Sequence, residues 1–166
     1  MEAVGIRSAV FLGNSLGCQV IVDLAVRHPT LVDAAILVGP TVDSRARTML
    51  QQLWRGLRDL IHEPWSLWRI LARDYLRTGT RRMFETFRFA LNDRMAEKCP
   101  QVVAPTLLVR GSLDTIAPTR WLAELAMLIP DARVVVIPGS THAAHYSTPE
   151  EVVHALLAFL ATTQRA

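Results

Sequence analysis

The stretch that decides the fold is SAVFLGNSLG, residues 8–17. Its first half, Ser8–Leu12, is a short apolar run rich in strand-forming residues that ends at Gly13. Along Cys18–Arg27 apolar side chains recur on one helical face, and Ala34–Val38 (AAILV) is a second apolar run. A strand, a helix and a strand in this succession indicate a βαβ unit, which is typical of a parallel sheet buried on both faces.

The same pattern returns near the end of the chain. Thr106–Val109 (TLLV) and Arg133–Ile137 (RVVVI) are further apolar runs, and Pro118–Leu128 between them is predicted to be helical. A last helix is predicted from Pro149, with Thr148 as its N-cap. We therefore predict an α/β fold with a mostly parallel four-stranded sheet and flanking helices.

Residues 43–100 have a different character, because aromatic and aliphatic residues recur there at helical spacing without a convincing strand. We predict three or four helices that form a cap inserted into the sheet core, which would comprise residues 1–42 and 101–166. Residues 45–98 hold twelve Arg or Lys and six Asp or Glu. Because these charges alternate with apolar residues, we interpret them as the solvated face of amphipathic helices rather than a surface for nucleic acid or membranes.

Composition limits the classes of protein that the 166 residues can form. About half of the residues are apolar, which suits one globular domain with a real core. Cys18 and Cys99 have no CxxC or metal-type spacing, which favours a reducing cytoplasm. We see no signal peptide and no apolar run long enough to span a bilayer. Phosphate-binding, dinucleotide-binding and metal-ligand motifs are also absent from the sequence, so we expect no cofactor and no metal.

The sharpest chemical signal is the G-x-S-x-G pattern of Gly13–Gly17, placed between a predicted strand and a predicted helix. A serine on such a tight turn projects its hydroxyl above the carboxyl edge of the sheet, and flanking glycines avoid collisions with neighbouring backbone. We predict Ser15 as a nucleophile. The backbone N–H of Leu16, at a helix N-terminus, would be one donor of an oxyanion hole.

A serine nucleophile needs a base, and five histidines are available. His142 follows the RVVVI strand on a loop that should lie at the same sheet edge as Ser15, so we predict that His142 is the base. His145 is the reserve candidate, with a supporting or capping role as its alternative.

The base in turn needs a carboxylate to orient it. Asp114 follows the TLLV strand at the same sheet edge and is our predicted acid. Asp43, after the AAILV strand, is the rival, although an N-cap role suits it better because Ser44–Leu53 is predicted to be helical. The chain order is then Ser15, Asp114, His142.

Three segments carry a resemblance to a known family: GNSLG, the GSLDTIAP loop and the PGSTHAAHYS loop. The pattern over residues 8–159 resembles the C-terminal part of the α/β-hydrolase superfamily, with a helical cap between its sixth and seventh strands. Ser-Asp-His is also the order of that family's triad. The resemblance implies a serine hydrolase for a small apolar or aromatic ester-like substrate, or for an activated carbon–carbon bond.

The chain also departs from the family pattern. Full members have four further strands and a His-Gly-type loop that supplies a second oxyanion donor, whereas only seven residues precede Ser8. We therefore expect a truncated α/β-hydrolase fold whose hydrolase activity is weakened or lost in this chain alone, with Ser8–Leu12 as an exposed apolar edge covered by a second copy or a partner chain. The alternative hypothesis is a non-catalytic, truncated hydrolase-like subunit.

Aromatic residues in the insertion suggest how a substrate would be bound. We predict Trp54 and Trp68, together with Asn14 of the serine turn, as substrate-binding residues. The alternative is that the aromatic side chains form the core of the cap itself. Trp121, outside the insertion, is interpreted as a packing residue.

Overall fold

The computed structural model describes residues 1, 3 and 5–163. Four parallel strands form one sheet in chain order: β1 (Ala9–Asn14), β2 (Val32–Val38), β3 (Thr106–Gly111) and β4 (Ala132–Ile137). The α-helices of the described residues are α1 (Leu16–Arg27), α2 (Met49–Leu60), α3 (Trp65–Thr78), α4 (Thr80–Asn92), α5 (Met95–Lys98), α6 (Thr119–Leu128), α7 (Ala144–Ser147) and α8 (Pro149–Thr163). None of them is long and apolar enough to cross a membrane.

The two central strands, β2 and β3, are buried between two layers of helices, and their side chains alternate between the two faces of the sheet. Leu37 and Leu108 belong to one apolar cluster with α1, α5 and α6. Ile36 and Leu107 belong to a second cluster with α7 and α8 on the opposite face. The predicted α/β class with a parallel four-stranded sheet and flanking helices is therefore confirmed.

Strand β1 is longer than the sequence predicts and extends into the serine turn. Gly13 and Asn14 pair with Leu37 and Val38 of β2, so the strand ends directly before Ser15. Helix α1 begins at the next residue, two positions earlier than predicted. The turn between them therefore consists of Ser15 alone, because pairing with β2 keeps the chain extended as far as Asn14.

The insertion carries helices α2 to α5 and no strand among its described residues. Helix α2 begins at Met49 rather than at Ser44, because Thr48 and Gln51 form a reciprocal capping box that starts the helix there. That the insertion is a separate cap domain stays a prediction.

Strand β1 lies at one edge of the described sheet. The side chains of Val10 and Leu12 are 41% and 46% exposed there. An apolar edge strand offers unpaired backbone groups to another strand, such as one from a second copy or a partner chain.

Candidate active site

Ser15 occupies a strained backbone conformation between β1 and α1. Its φ of 55° and ψ of −117° lie outside the regions that serine favours, and it is the one non-glycine residue with positive φ among those described. The backbone N–H of Ser15 donates to the carbonyl of Val38 over 2.9 Å, which holds the turn against β2. The Ser15 hydroxyl lies 3.3 Å from the hydroxyl of Thr41. Strain of this kind concentrates at functional sites.

The two glycines of the turn have different roles. A Cβ on Gly13 would lie 2.8 Å from the carbonyl carbon of Gly17 and 2.6 Å from Ile21, so residue 13 has no room for a side chain. A Cβ on Gly17 would meet nothing within 4 Å among the described residues. The collision expected at both glycines is thus found only at Gly13, because position 17 faces open space.

His142 and Asp114 form a buried pair on the loops that follow β4 and β3. Nδ1 of His142 lies 3.0 Å from Oδ2 of Asp114. The other oxygen, Oδ1, accepts the backbone N–H groups of Ile116 and Ala117, each over 2.8 Å. Nε2 of His142 is buried and has no hydrogen-bond partner among the described residues. The Asp114 carboxylate is therefore anchored through Oδ1 by its own loop, and Oδ2 faces the imidazole.

The charge state of His142 reflects opposing effects. Burial disfavours the imidazolium, but the hydrogen bond and negative charge of Asp114, helped by Asp59 and Glu63, outweigh it and raise the pKa of His142. His145, the reserve candidate, lies in the short helix α7. Burial and the neighbouring charge of His142 lower the pKa of His145. Of the two histidines, it is His142 that forms the hydrogen bond with Asp114 in the described part of the chain.

The rival carboxylate, Asp43, has a different set of partners. Its side chain is fully buried and forms ion pairs with Arg55, at 2.7 Å, and with Arg120. It also accepts the backbone N–H of Arg45 over 3.0 Å. Burial alone would raise the pKa of Asp43, but hydrogen bonds from Arg120, Arg45 and Arg55 hold it below its ordinary value. Asp43 caps no helix, since α2 begins beyond Thr48; it joins the insertion to α6 instead.

Two residues of the site support His142 from the sheet side. The Asn14 amide donates to the carbonyls of Val38 and His142, both over 3.2 Å, and so joins the serine turn to the histidine loop. Gly39 has a φ of 53°, and a Cβ there would lie 2.8 Å from Nδ1 of His142 and 3.1 Å from Oδ2 of Asp114. Sequence reasoning assigned no role to Gly39, so its position beside the pair was missed.

The insertion contributes two carboxylates that sequence reasoning also missed. Asp59, in the last turn of α2, accepts the backbone N–H of Thr115 over 3.1 Å, next to Asp114. Glu63 accepts hydrogen bonds from the hydroxyl of Thr141 and the backbone N–H of Ala143, each over 2.9 Å. No local motif announces either residue, because their partners lie more than fifty positions away along the chain.

Asp59 makes a testable contribution to stability. Burial and the charges of Asp114 and Glu63 outweigh the favourable partners, and the pKa of Asp59 rises from its ordinary 3.8 to about 6. The native state thus binds this proton more tightly than the unfolded state, so stability falls as pH rises from about 4 to about 6. Asp59→Asn keeps an acceptor for Thr115 without the charge, and we expect it to stabilise the fold by about 1–3 kcal/mol at pH 7.5.

Urea denaturation at several pH values measures this effect. The gain from Asp59→Asn should vanish below about pH 4, where Asp59 is protonated in both states. Asp74→Asn, on the exposed surface of α3, is the matched control and should change stability little at either pH. A gain in stability that is independent of pH, or no gain at all, would contradict the inference that the negative charge of Asp59 destabilises the fold.

The predicted substrate-binding tryptophans lie on the insertion, in different settings. Trp54 of α2 is 64% exposed. The indole N–H of Trp68 in α3 donates to the carbonyl of Leu60 over 3.0 Å, a contact within the insertion. Contact of Trp54, Trp68 or Asn14 with a substrate stays a prediction. Trp121 is buried in the core, as expected, and donates to the carbonyl of Pro40.

The described residues contain no group of three or more His, Cys, Asp or Glu side chains that could hold a metal ion. At the carboxyl edge of the sheet, the described residues present a strained serine, a buried His–Asp pair and the two carboxylates of the insertion.

Comparison with known proteins places this geometry in context. A sequence profile described as the alpha/beta hydrolase family matches residues 1–155. A 2-(acetamidomethylene)succinate hydrolase from Mesorhizobium japonicum is 25% identical over 92% of this chain and 64% of its own length. A pimeloyl-[acyl-carrier protein] methyl ester esterase from Aromatoleum aromaticum is 30% identical over 86% of this chain and 70% of its own length. The chain thus spans about two thirds of these curated relatives.

A solved structure of similar fold is described as a membrane phospholipase A, a bacterial virulence factor. It superposes with a TM-score of 0.80 at 23% identity, covering 99% of this chain and 60% of that one. At this identity the match shows the fold alone.

Proposed function

Because the chain belongs to the alpha/beta hydrolase family, we propose that it carries the Ser15–His142–Asp114 triad of a serine hydrolase that cleaves small esters. In this mechanism Nε2 of His142 removes the hydroxyl proton of Ser15 while Oγ attacks the ester carbonyl carbon. The imidazolium then returns the proton to the leaving alcohol as the C–O bond breaks. Water, activated by the same nitrogen, hydrolyses the acyl-serine and releases the acid.

The observation that carries the proposal is the hydrogen bond between Nδ1 of His142 and Asp114, with Nε2 left unpaired among the described residues. Asp114 is an acceptor, so Nδ1 carries the proton and Nε2 keeps the lone pair that a base needs. Burial of this pair strengthens the stabilisation of an imidazolium by the carboxylate.

The nucleophile needs one adjustment to react. Its hydroxyl contacts Thr41 at 3.3 Å, so the mechanism requires a rotation about the Cα–Cβ bond of Ser15 that brings the hydroxyl to Nε2 of His142. The N–H of Leu16, at the first position of α1, would then donate to the oxyanion, because the first N–H groups of a helix have no partner within it.

We favour an ester as the substrate because one of the relatives is an esterase. A methyl ester esterase shares 30% identity with this chain, and we propose an apolar or aromatic ester with Trp54, Trp68 and Asn14 among its contacts. The serine turn also resembles that of hydrolases for activated carbon–carbon bonds, which use the same nucleophile. Comparing turnover of p-nitrophenyl esters with that of a vinylogous diketone discriminates the two classes.

Reaction with a fluorophosphonate probe tests the proposal directly. The probe phosphonylates a serine only where a base activates it, so intact-mass analysis and peptide mapping should find one adduct, on Ser15. Ser15→Ala should abolish the adduct without loss of folded structure by circular dichroism. A folded chain that does not react, or that reacts elsewhere, would refute the triad.

The second candidate function is that of a non-catalytic, hydrolase-like subunit that pairs through β1. The exposed Val10 and Leu12 on this edge strand favour it, since apolar edges are usually covered. Light scattering tests it: association that is lost on Leu12→Lys would support pairing, and a monodisperse monomer at high concentration would oppose it.

A further inference from the structure

We propose that Glu63 is a positioning residue that holds His142 in place from the helical insertion, so that the base of the proposed hydrolase is aligned only while the insertion is seated. The catalytic meaning of this inference rests on the proposed function. The contact itself is a feature of the fold, and it can be tested separately.

The Glu63 carboxylate uses both oxygens to hold the residues on either side of His142. Oε2 accepts the hydroxyl of Thr141 over 2.9 Å, and Oε1 accepts the backbone N–H of Ala143 over 2.9 Å. These two hydrogen bonds restrain the chain on both sides of His142, and with it the position of the imidazole ring. Hydrogen bonds to a charged acceptor are about twice as strong as neutral ones.

The segment that carries Glu63 is held on the other catalytic loop as well. Asp59, four residues earlier, accepts the N–H of Thr115, and the hydroxyl of Thr115 donates to the carbonyl of Arg55 over 2.9 Å. The segment 55–63, which includes the end of α2 and the residues after it, therefore contacts the loop of the acid and the loop of the base at once. A displacement of the insertion would release both loops together.

The electrostatics of the site give the inference a distinct signature. Four titratable neighbours surround His142: Asp114 on the loop after β3, Asp59 and Glu63 from the insertion, and His145 in α7. The negative charge of Glu63 raises the pKa of His142, so its removal should lower that pKa. Because the neutral imidazole is the base, the pH profile of Ser15 phosphonylation should then move toward lower pH.

Two variants of Glu63 separate its effect on the position of His142 from the effect of its charge, and a third variant, at Glu85, is the control. Glu63→Ala removes both hydrogen bonds, whereas Glu63→Gln keeps an oxygen for Ala143 and offers an amide to Thr141 without the charge. Glu85→Ala removes an exposed carboxylate from α4, where it pairs with Arg81 of the same helix at 3.1 Å. Each variant is tested in the full chain by the rate of fluorophosphonate reaction across pH and by NMR titration of the His142 ring.

We expect Glu63→Ala to slow phosphonylation about ten- to a hundredfold, because a misplaced base loses its near-attack geometry. Glu63→Gln should react within about threefold of the unmodified chain at alkaline pH, yet with its profile shifted toward lower pH. Glu85→Ala should alter neither quantity. Should Glu63→Ala be unfolded by circular dichroism, the acid shift in Glu63→Gln remains the test.

The inference is overturned if both Glu63 variants are folded and match Glu85→Ala in rate and in pH midpoint. Absence of any adduct in the unmodified chain refutes the proposed function instead. In that case the NMR titration still decides the role of Glu63: an unchanged His142 ring signal and titration in both variants would overturn it, and a changed one would support it.

Discussion

Replacing Asp114 by asparagine should slow the reaction of Ser15 with a fluorophosphonate about 10⁴-fold while the fold persists, by analogy with the same change in serine proteases. The direction follows from the donors around the side chain. Oδ1 of Asp114 accepts two backbone N–H groups, from Ile116 and Ala117, so the asparagine oxygen must stay on that side. The amide NH₂ then faces Nδ1 of His142 and forces it to accept. The ring proton moves to Nε2, which can no longer act as a base.

The measurement is the second-order rate of phosphonylation, with thermal unfolding recorded in parallel. Asp33→Asn, an exposed carboxylate at the start of β2, should leave both unchanged and is the matched control. If Asp114→Asn labels Ser15 at the rate of the control, Asp114 does not orient the base, and the proposed triad is wrong in that member.

The second large effect is expected from Gly39→Ala. The new Cβ would lie 2.8 Å from Nδ1 and 2.9 Å from Cε1 of His142, which is closer than unbonded atoms tolerate. The ring has little freedom to retreat, because Asn14 holds the carbonyl of His142 and Glu63 holds its two neighbours. It must therefore rotate away from Asp114. We expect at least a hundredfold loss of phosphonylation rate.

A smaller loss of stability should accompany it, about 1–2 kcal/mol, because φ at residue 39 is positive. Gly56→Ala provides the control: position 56 lies within α2, has open space for a Cβ, and should gain about 0.5–1 kcal/mol from helix propensity. Equal phosphonylation rates in the two variants would show that the His142–Asp114 pair does not depend on the space left by Gly39.

Much of the sheet is readable from the sequence because its signals are local. The four apolar runs, the helical periodicity between them and the Gly-Asn-Ser-Leu-Gly turn each lie within a short window, and each corresponds to an element of the structure. The ends of elements were less readable. Strand β1 continues to Asn14 because of pairing with β2, and α2 starts at Met49 because of a capping box, and neither follows from apolar periodicity.

For the candidate site, too, the residues with local sequence signals could be predicted and their tertiary contacts could not. Ser15, Asp114 and His142 could be nominated because each follows a predicted parallel strand, and the carboxyl ends of such strands share one edge. The surroundings of these residues could not. Glu63, Asp59 and the pairing of Arg120 with Asp43 act over separations of about 56 to 80 residues, and no motif marks Glu63, Asp59 or Arg120 in the sequence.

By itself, then, the sequence determined the α/β class, the succession of the four strands, and the serine turn that marks the family, because backbone preference and apolar periodicity act over a few residues. Only the tertiary structure decided that His142 bonds to Asp114 while Asp43 is occupied by arginines, that Gly39 makes room for the pair, and that Glu63 reaches across from the insertion. These contacts depend on how far each loop projects from the sheet, and that distance depends on how all the strands and helices beneath the loop pack together.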